Sequence, residues 1–134
     1  MVHVEVVAAI LIEQDKILCM QRKEGRYPYL SFKYEFPGGK LEKGETREQA
    51  LMRELQEEMD LHLEVTPEDF FMTVEHLYPD FFITLHCYLC RISNPAFVVK
   101  EHQSHQWLNH NVLDTLDWAE ADRPIVKRLM EVLG

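Results

Sequence analysis

The chain has 134 residues, 46% of them apolar and 28% charged, with a formal net charge of −9 at neutral pH. That length suits a single domain spanning residues 1–134 around one core, and the composition is that of an ordinary soluble globular protein. The negative charge disfavours nucleic-acid polymers and anionic membranes as partners, and no apolar run approaches the roughly 18 residues of a membrane span.

Val4 to Ile12 is apolar and rich in β-branched residues, which predicts a strand. Lys16 to Gln21 predicts a second, with Glu13, Gln14 and Asp15 as the turn of a hairpin. This stretch lacks the basic region and cleavage site of a signal peptide, so none is expected. Lys23 to Phe32 is polar, contains Gly25 and Pro28, and reads as a loop. Tyr34 to Phe36 is a short extended piece ended by Pro37, after which Gly38, Gly39 and Gly44 punctuate another loop. Thr46 and Gln49 then have the spacing of a capping box. Arg47 to about Met59 lacks Gly and Pro and is rich in helix formers, so a helix is expected, buried along Ala50, Leu51, Leu55 and Met59. Beyond Pro67, Phe70 to Leu77 and Phe81 to Ile92 predict two long strands joined by a turn at Tyr78, Pro79 and Asp80. His105 to Leu108 predicts one more strand. The last helix starts near Asp122, with Pro124 in its first turn, where a missing N–H costs little. Its apolar side is Ile125, Val126, Leu129, Met130 and Leu133. Strands, helix, strands, helix is the order of an α/β fold with a mixed sheet and helices packed on it.

There are three cysteines, Cys19, Cys87 and Cys90. An odd count without a secretory signal points to reduced thiols and a cytoplasmic location. Cys87 and Cys90 form a C-x-x-C, but residues three apart on a strand face opposite sides of the sheet, so the pair is not expected to share a metal. The same argument weakens a metal reading of His102 and His105.

The chemistry concentrates on the first helix. Glu54, Glu57 and Glu58 stand at i, i+3 and i+4, so they project from one side, where like charges repel. A divalent cation relieves that repulsion, and ligation by carboxylates alone suits hard Mg²⁺, with Mn²⁺ as a substitute, rather than zinc. Spacing alone also describes a solvated acidic face, so the surroundings carry the argument. Just upstream lie Phe36-Pro37-Gly38-Gly39-Lys40. Adjacent glycines let backbone approach a phosphate or a metal, and Lys40 brings a cation to the same place.

These residues resemble a Nudix box, G-x5-E-x7-R-E-U-x-E-E-x-G-U with U a bulky apolar residue. They match at Gly39, Glu45, Arg53-Glu54-Leu55, Glu57-Glu58 and Leu61, which sets the box at residues 39–61. One position departs: Asp60 stands where the pattern has glycine, at a helix end where a left-handed cap is needed. Asp takes that conformation at modest cost, so the change reads as structural. Glu35-Phe36-Pro37-Gly38-Gly39-Lys40, Tyr78-Pro79-Asp80, Ile83-Thr84-Leu85, Trp107 and Ala121-Asp122-x-Pro124 are similar to the MutT-like branch, which includes 8-oxo-dGTP diphosphatases and CTP pyrophosphohydrolases.

The resemblance implies an α/β/α sandwich with a loop–helix–loop motif, and a Mg²⁺-dependent hydrolase converting a nucleoside triphosphate to the monophosphate and diphosphate. Clearance of oxidised nucleotides, in the service of DNA repair, and action on a CTP-type pyrimidine are both open purposes. A hydrolase of ADP-ribose, a nucleotide sugar or a dinucleoside polyphosphate is the alternative, as is a silent nucleotide-sensing domain; monomer or homodimer is undecided. By the same resemblance Glu54, Glu57, Glu58 and Glu101 are ligands of the cation, with the backbone of Gly38. Glu54 is the first candidate for the base and Glu101 the second, although Glu101 also reads as an exposed loop charge. Arg53 belongs to the catalytic set by orienting carboxylates such as Glu45 or Glu57. Arg22 and Lys40 are expected to meet phosphates, and Phe36, Tyr78 and Asp122 the base. An ionised Asp122 would only accept hydrogen bonds, and its position also fits a helix N-cap.

Overall fold

The computed structural model describes residues 1–93 and 97–133. Its seven strands form one mixed sheet. They are β1 (Val2–Glu13), β2 (Lys16–Gln21), β3 (Tyr34–Glu35), β4 (Gly38–Lys40), β5 (Phe70–Leu77), β6 (Phe81–Arg91) and β7 (Ser104–Asn109), with helices α1 (Arg47–Met59) and α2 (Arg123–Leu133). β1 is the axis. It runs parallel to β6 in unbroken register from Val2 opposite Phe81 to Ile12 opposite Arg91. Every other strand pairing is antiparallel: β5 on β6, and β3 and β7 on β2. The free edge of β1 is shared. Ile12 and Glu13 pair with β2, while Val6 to Ala8 pair with β4.

Strand alternation divides the core between the two faces. Val7, Ala9 and Leu11 of β1 pack with Leu18, Met20 and Tyr88 beneath the Ala50, Leu51, Leu55 and Met59 stripe of α1. Ala8, Ile10 and Ile12 pack with Ile17, Leu85 and Cys87 beneath Ile125, Val126 and Leu129 of α2. The result is the expected α/β/α sandwich. Cys87 and Cys90 fall into opposite layers, as their spacing on a strand requires. Burial lifts the Cys19 and Cys90 thiols to about 12 and pushes that of Cys87 well above the usual thiol value, which leaves them unreactive. No helix among the described residues is long and apolar enough to cross a membrane.

Two local expectations change. The β1–β2 turn is shorter, with Gln14 and Asp15 both at φ 51° and Glu13 still in β1. That is the backbone of a two-residue hairpin turn, which follows strand twist. More consequential, Gly38 and Gly39 are not loop. They form β4 against β1, where a Cβ on Gly38 would collide with the Val7 carbonyl. The glycines are therefore there for close backbone approach, and the strand is invisible locally because its partner is about 30 residues away.

Candidate active site

Helix α1 is built as its capping pattern demands. Thr46 accepts from the Gln49 N–H at 3.1 Å, and the Gln49 side chain accepts from the Thr46 N–H at 3.0 Å. At the other end Asp60 lies at φ 52°, the left-handed cap inferred from its place in the box, and Leu61 N–H reaches back to the Leu55 carbonyl. Both ends are thus held, and the glutamates between them have fixed directions.

Arg53 is the hub beside them. Its Nε donates to Glu45 at 2.6 Å, Nη1 to Glu54 at 2.9 Å and Glu57 at 3.2 Å, and Nη2 to Glu45 and to the Lys40 carbonyl, both at 3.0 Å. The Glu45 bond first, with the Glu54 charge, holds the guanidinium above its ordinary pKa against the effect of burial, and the same partnership holds Glu45 below the usual carboxylate range. Five donors in a rigid fork make arginine suited to several acceptors at once. Arg53 therefore ties β4, the box loop and α1 together. Its partners are protein groups.

The carboxylates divide into two sets. Glu57 is 60% exposed and turned to Arg53. Glu54 is 13% exposed and its carboxyl lies against Gly39, where any Cβ would strike it. Glu58 lines a cleft of about 860 Å³. Its pKa is pushed up to about 8, first by burial, then by the charge of Glu54 and Glu35, a hydrogen bond with Glu54 and the charge of Glu101. Here is a half-buried carboxyl among three others. Its own proton relieves the crowding when nothing else does.

Gly38 adds an acceptor. Ala9 N–H donates to the Pro37 carbonyl and Leu41 N–H to the Glu5 carbonyl. In an antiparallel pair bonded residues alternate, so the opposed pair Ala8–Gly38 is a non-bonded one. The Gly38 carbonyl thus points away from β1, along the edge where the Lys40 carbonyl meets Arg53. Among the described residues no three His, Cys, Asp or Glu side chains are already gathered into a metal-ready group. The chemistry of the donors nevertheless fits a hard divalent cation: all are oxygens, and the charge on Glu54, Glu58, Glu35 and Glu101 exceeds what Arg22 and Arg53 offset.

The cleft also takes in Arg22, Phe36, Gly38, Lys40, Tyr78, Glu101 and Asp122, so it gathers most of the residues singled out from the sequence, leaving Arg53, Glu54 and Glu57 beside it. Arg22 donates to Glu35 at 3.0 Å. Phe36 touches the cleft but is only 3% exposed and packs on Trp118, ring centres 4.8 Å apart, so it is chiefly core. Tyr78 is 4% exposed, and its hydroxyl accepts the Ala121 N–H at 2.9 Å. It thereby holds the turn that bears Asp122, and burial lifts its own pKa to about 12.

Asp122 is 5% exposed in the cleft wall. It lies in a 3-10 turn, Glu120–Asp122, just before α2, and the nearby Phe36 backbone works against burial by favouring its ionised form. Burial, with the charge of Glu35 adding to it, raises its pKa well above the carboxylate range. Burial thus favours the protonated acid, which has an O–H to donate, over the purely accepting carboxylate.

Two residues escaped the sequence reading as functional. Glu35 was only part of a motif, and His102 only an unpromising metal ligand. His102 bonds Glu35 at 2.8 Å. Burial works to raise the Glu35 pKa, but His102 and Arg22 outweigh it and hold Glu35 ionised below the usual range. The available signal was a lone acid between Tyr34 and Phe36 in an otherwise apolar strand.

A family profile described as the NUDIX domain matches residues 1–129. The chain is 39% identical over 103 residues to an 8-oxo-dGTP diphosphatase of Escherichia coli K12, covering 75% of this chain and 77% of that protein. It is 33% identical over 130 residues to a CTP pyrophosphohydrolase of the same organism, covering 95% and 91%. The solution structure of the E. coli ORF135 protein superimposes with a TM-score of 0.82 at 30% identity, covering 100% of this chain and 93% of that one.

Proposed function

The chain belongs to the Nudix family of hydrolases, and on that premise we propose that it is a Mg²⁺-dependent nucleoside triphosphate pyrophosphohydrolase. The crowding of carboxylates around Glu58 carries this reading. Glu54, Glu57, Glu58, Glu101 and the Gly38 carbonyl would hold the cation. When bound, Mg²⁺, or Mn²⁺ in its place, neutralises phosphate charge and lowers the pKa of water.

The chain's own groups do the rest. Glu54, aligned by Arg53 and backed by Gly39, orients the attacking water and takes its proton, with Glu101 as the second carboxylate at hand. Arg22 and Lys40, on the cleft wall, meet the phosphates. Water adds to a phosphorus of the triphosphate, the bridging P–O bond breaks, and nucleoside monophosphate and diphosphate leave.

Asp122 reads the base. A neutral carboxyl presents a donor beside an acceptor, which complements the N4–H and N3 edge of cytosine. It equally complements the N7–H and O6 edge of 8-oxoguanine. Ordinary guanine offers two acceptors there and fits worse. Both relatives named above act, by their names, on nucleotides with such an edge. Removal of oxidised nucleotides from the cytoplasmic pool is the purpose we favour.

The test is a panel of canonical and oxidised nucleoside triphosphates with Mg²⁺, products resolved by chromatography. Monophosphate plus diphosphate, fastest from 8-oxo-dGTP or a cytosine nucleotide, is expected. Turnover confined to ADP-ribose, nucleotide sugars or dinucleoside polyphosphates would overturn the substrate class.

A further inference from the structure

Helix α1 ends on acid. Its last turn carries Glu57 and Glu58 and no basic residue, and the cap that follows is Asp60. The C-terminus is the negative pole of a helix dipole, where cations are favoured, so this arrangement needs charge from elsewhere. Lys100 supplies it from a segment 40 residues on. Its Nζ donates to the Asp60 carboxylate at 2.9 Å and approaches the Glu57 carbonyl at 3.4 Å.

That segment, residues 97–103, has no regular structure of its own before β7 begins at Ser104. It is pinned at separate points. Val98 N–H donates to the Met59 carbonyl at 2.9 Å, and Gln103 N–H to the Gln21 carbonyl at 2.8 Å. Between these, Lys100 holds the end of α1 and His102 holds Glu35. Glu101 lies between the two side-chain anchors, in the cleft wall with Glu58. The departure of Asp60 from the box pattern thus has a partner: a glycine there would supply the left-handed cap but no carboxylate for Lys100.

We propose that Asp60 is a positioning residue, which through Lys100 ties the segment bearing Glu101 to the C-terminal end of α1 and so sets where Glu101 stands relative to Glu58. The consequence for catalysis rests on the function proposed above; the tether does not. An exposed ion pair adds little to global stability. Its effect falls on a short segment whose local opening costs far less than unfolding.

The experiment is amide hydrogen exchange on the full chain, wild type against Asp60→Asn, Asp60→Gly, Lys100→Met and the double variant Asp60→Asn/Lys100→Met, with steady-state kinetics on the same proteins. Asn and Gly both accept the left-handed cap, so the fold is kept. Each single variant is expected to speed Val98 amide exchange about two- to fivefold. It should lower kcat by a like factor with nucleotide KM unchanged and raise the Mg²⁺ concentration for half-maximal rate. The double variant should be no worse than either single one. Unchanged exchange in all singles, or effects that add in the double, would overturn the tether. Faster exchange with unchanged kcat in an active enzyme would overturn the positioning role. A protein that hydrolyses no nucleotide would sink the proposed function, while the exchange result would still decide the tether.

Discussion

Glu58 and Asp122 both line one cleft, and burial raises the proton affinity of both. Their surroundings then diverge. Around Glu58 the added push comes from Glu54, Glu35 and Glu101, so its proton stands in for a cation. At Asp122 the added push is the single charge of Glu35, and the Phe36 backbone and the Arg22 charge work against it. The first carboxyl can be switched by a divalent ion; the second is held toward its protonated form chiefly by burial. On the function proposed above, the charged group would serve the triphosphate and Asp122 the base.

The sharpest way to break this division is at the charged end. Glu54→Gln keeps shape and removes the base, and turnover should fall by about 10²- to 10⁴-fold with circular dichroism unchanged. A near-normal rate in the folded variant would remove Glu54 from the chemistry.

The other end calls for a pair of variants. Asp122→Asn preserves one donor and one acceptor, so if the acid is neutral it should keep the base ranking. Asp122→Ala should erode discrimination between preferred and poor bases by about ten- to a hundredfold, as loss of a buried hydrogen bond does. Loss of ranking in the Asn variant would mean that Asp122 acts ionised; intact ranking in the Ala variant would mean that it does not read the base.

The smallest effect concerns stability. A carboxyl whose folded pKa is raised to about 8 contributes stability that is full below its unfolded value and lost as pH rises through the folded one. Metal-free protein should therefore melt a few degrees lower at about pH 9 than at about pH 6. Mg²⁺ should restore more at the higher pH, where no proton competes. Glu58→Gln should flatten both responses, and a variant that keeps the wild-type slope would assign the pH dependence to another group.

Much of the charged end was legible beforehand because its signals are local. Three glutamates on one side of α1, the Thr46–Gln49 box and the left-handed Asp60 all follow from hydrogen bonds and side-chain directions within a few residues. The base end was less so. Asp122 was found by its neighbours in sequence, but nothing nearby says that burial will press its carboxyl toward the protonated form. Glu35 joins Arg22 and His102 from different parts of the chain, and no spacing announces such a meeting.

What the sequence by itself determined, then, is what short-range geometry can enforce: helix limits, strand faces, the separation of Cys87 from Cys90, and the acids arrayed on α1. Only the tertiary structure decided that Gly38 and Gly39 are a strand beneath Glu54, that Glu35 is held below the usual carboxylate range while Asp122 is pushed above it, and that Lys100 answers Asp60. Those outcomes depend on burial and on charges brought together by the sheet. Both act through space rather than along the chain.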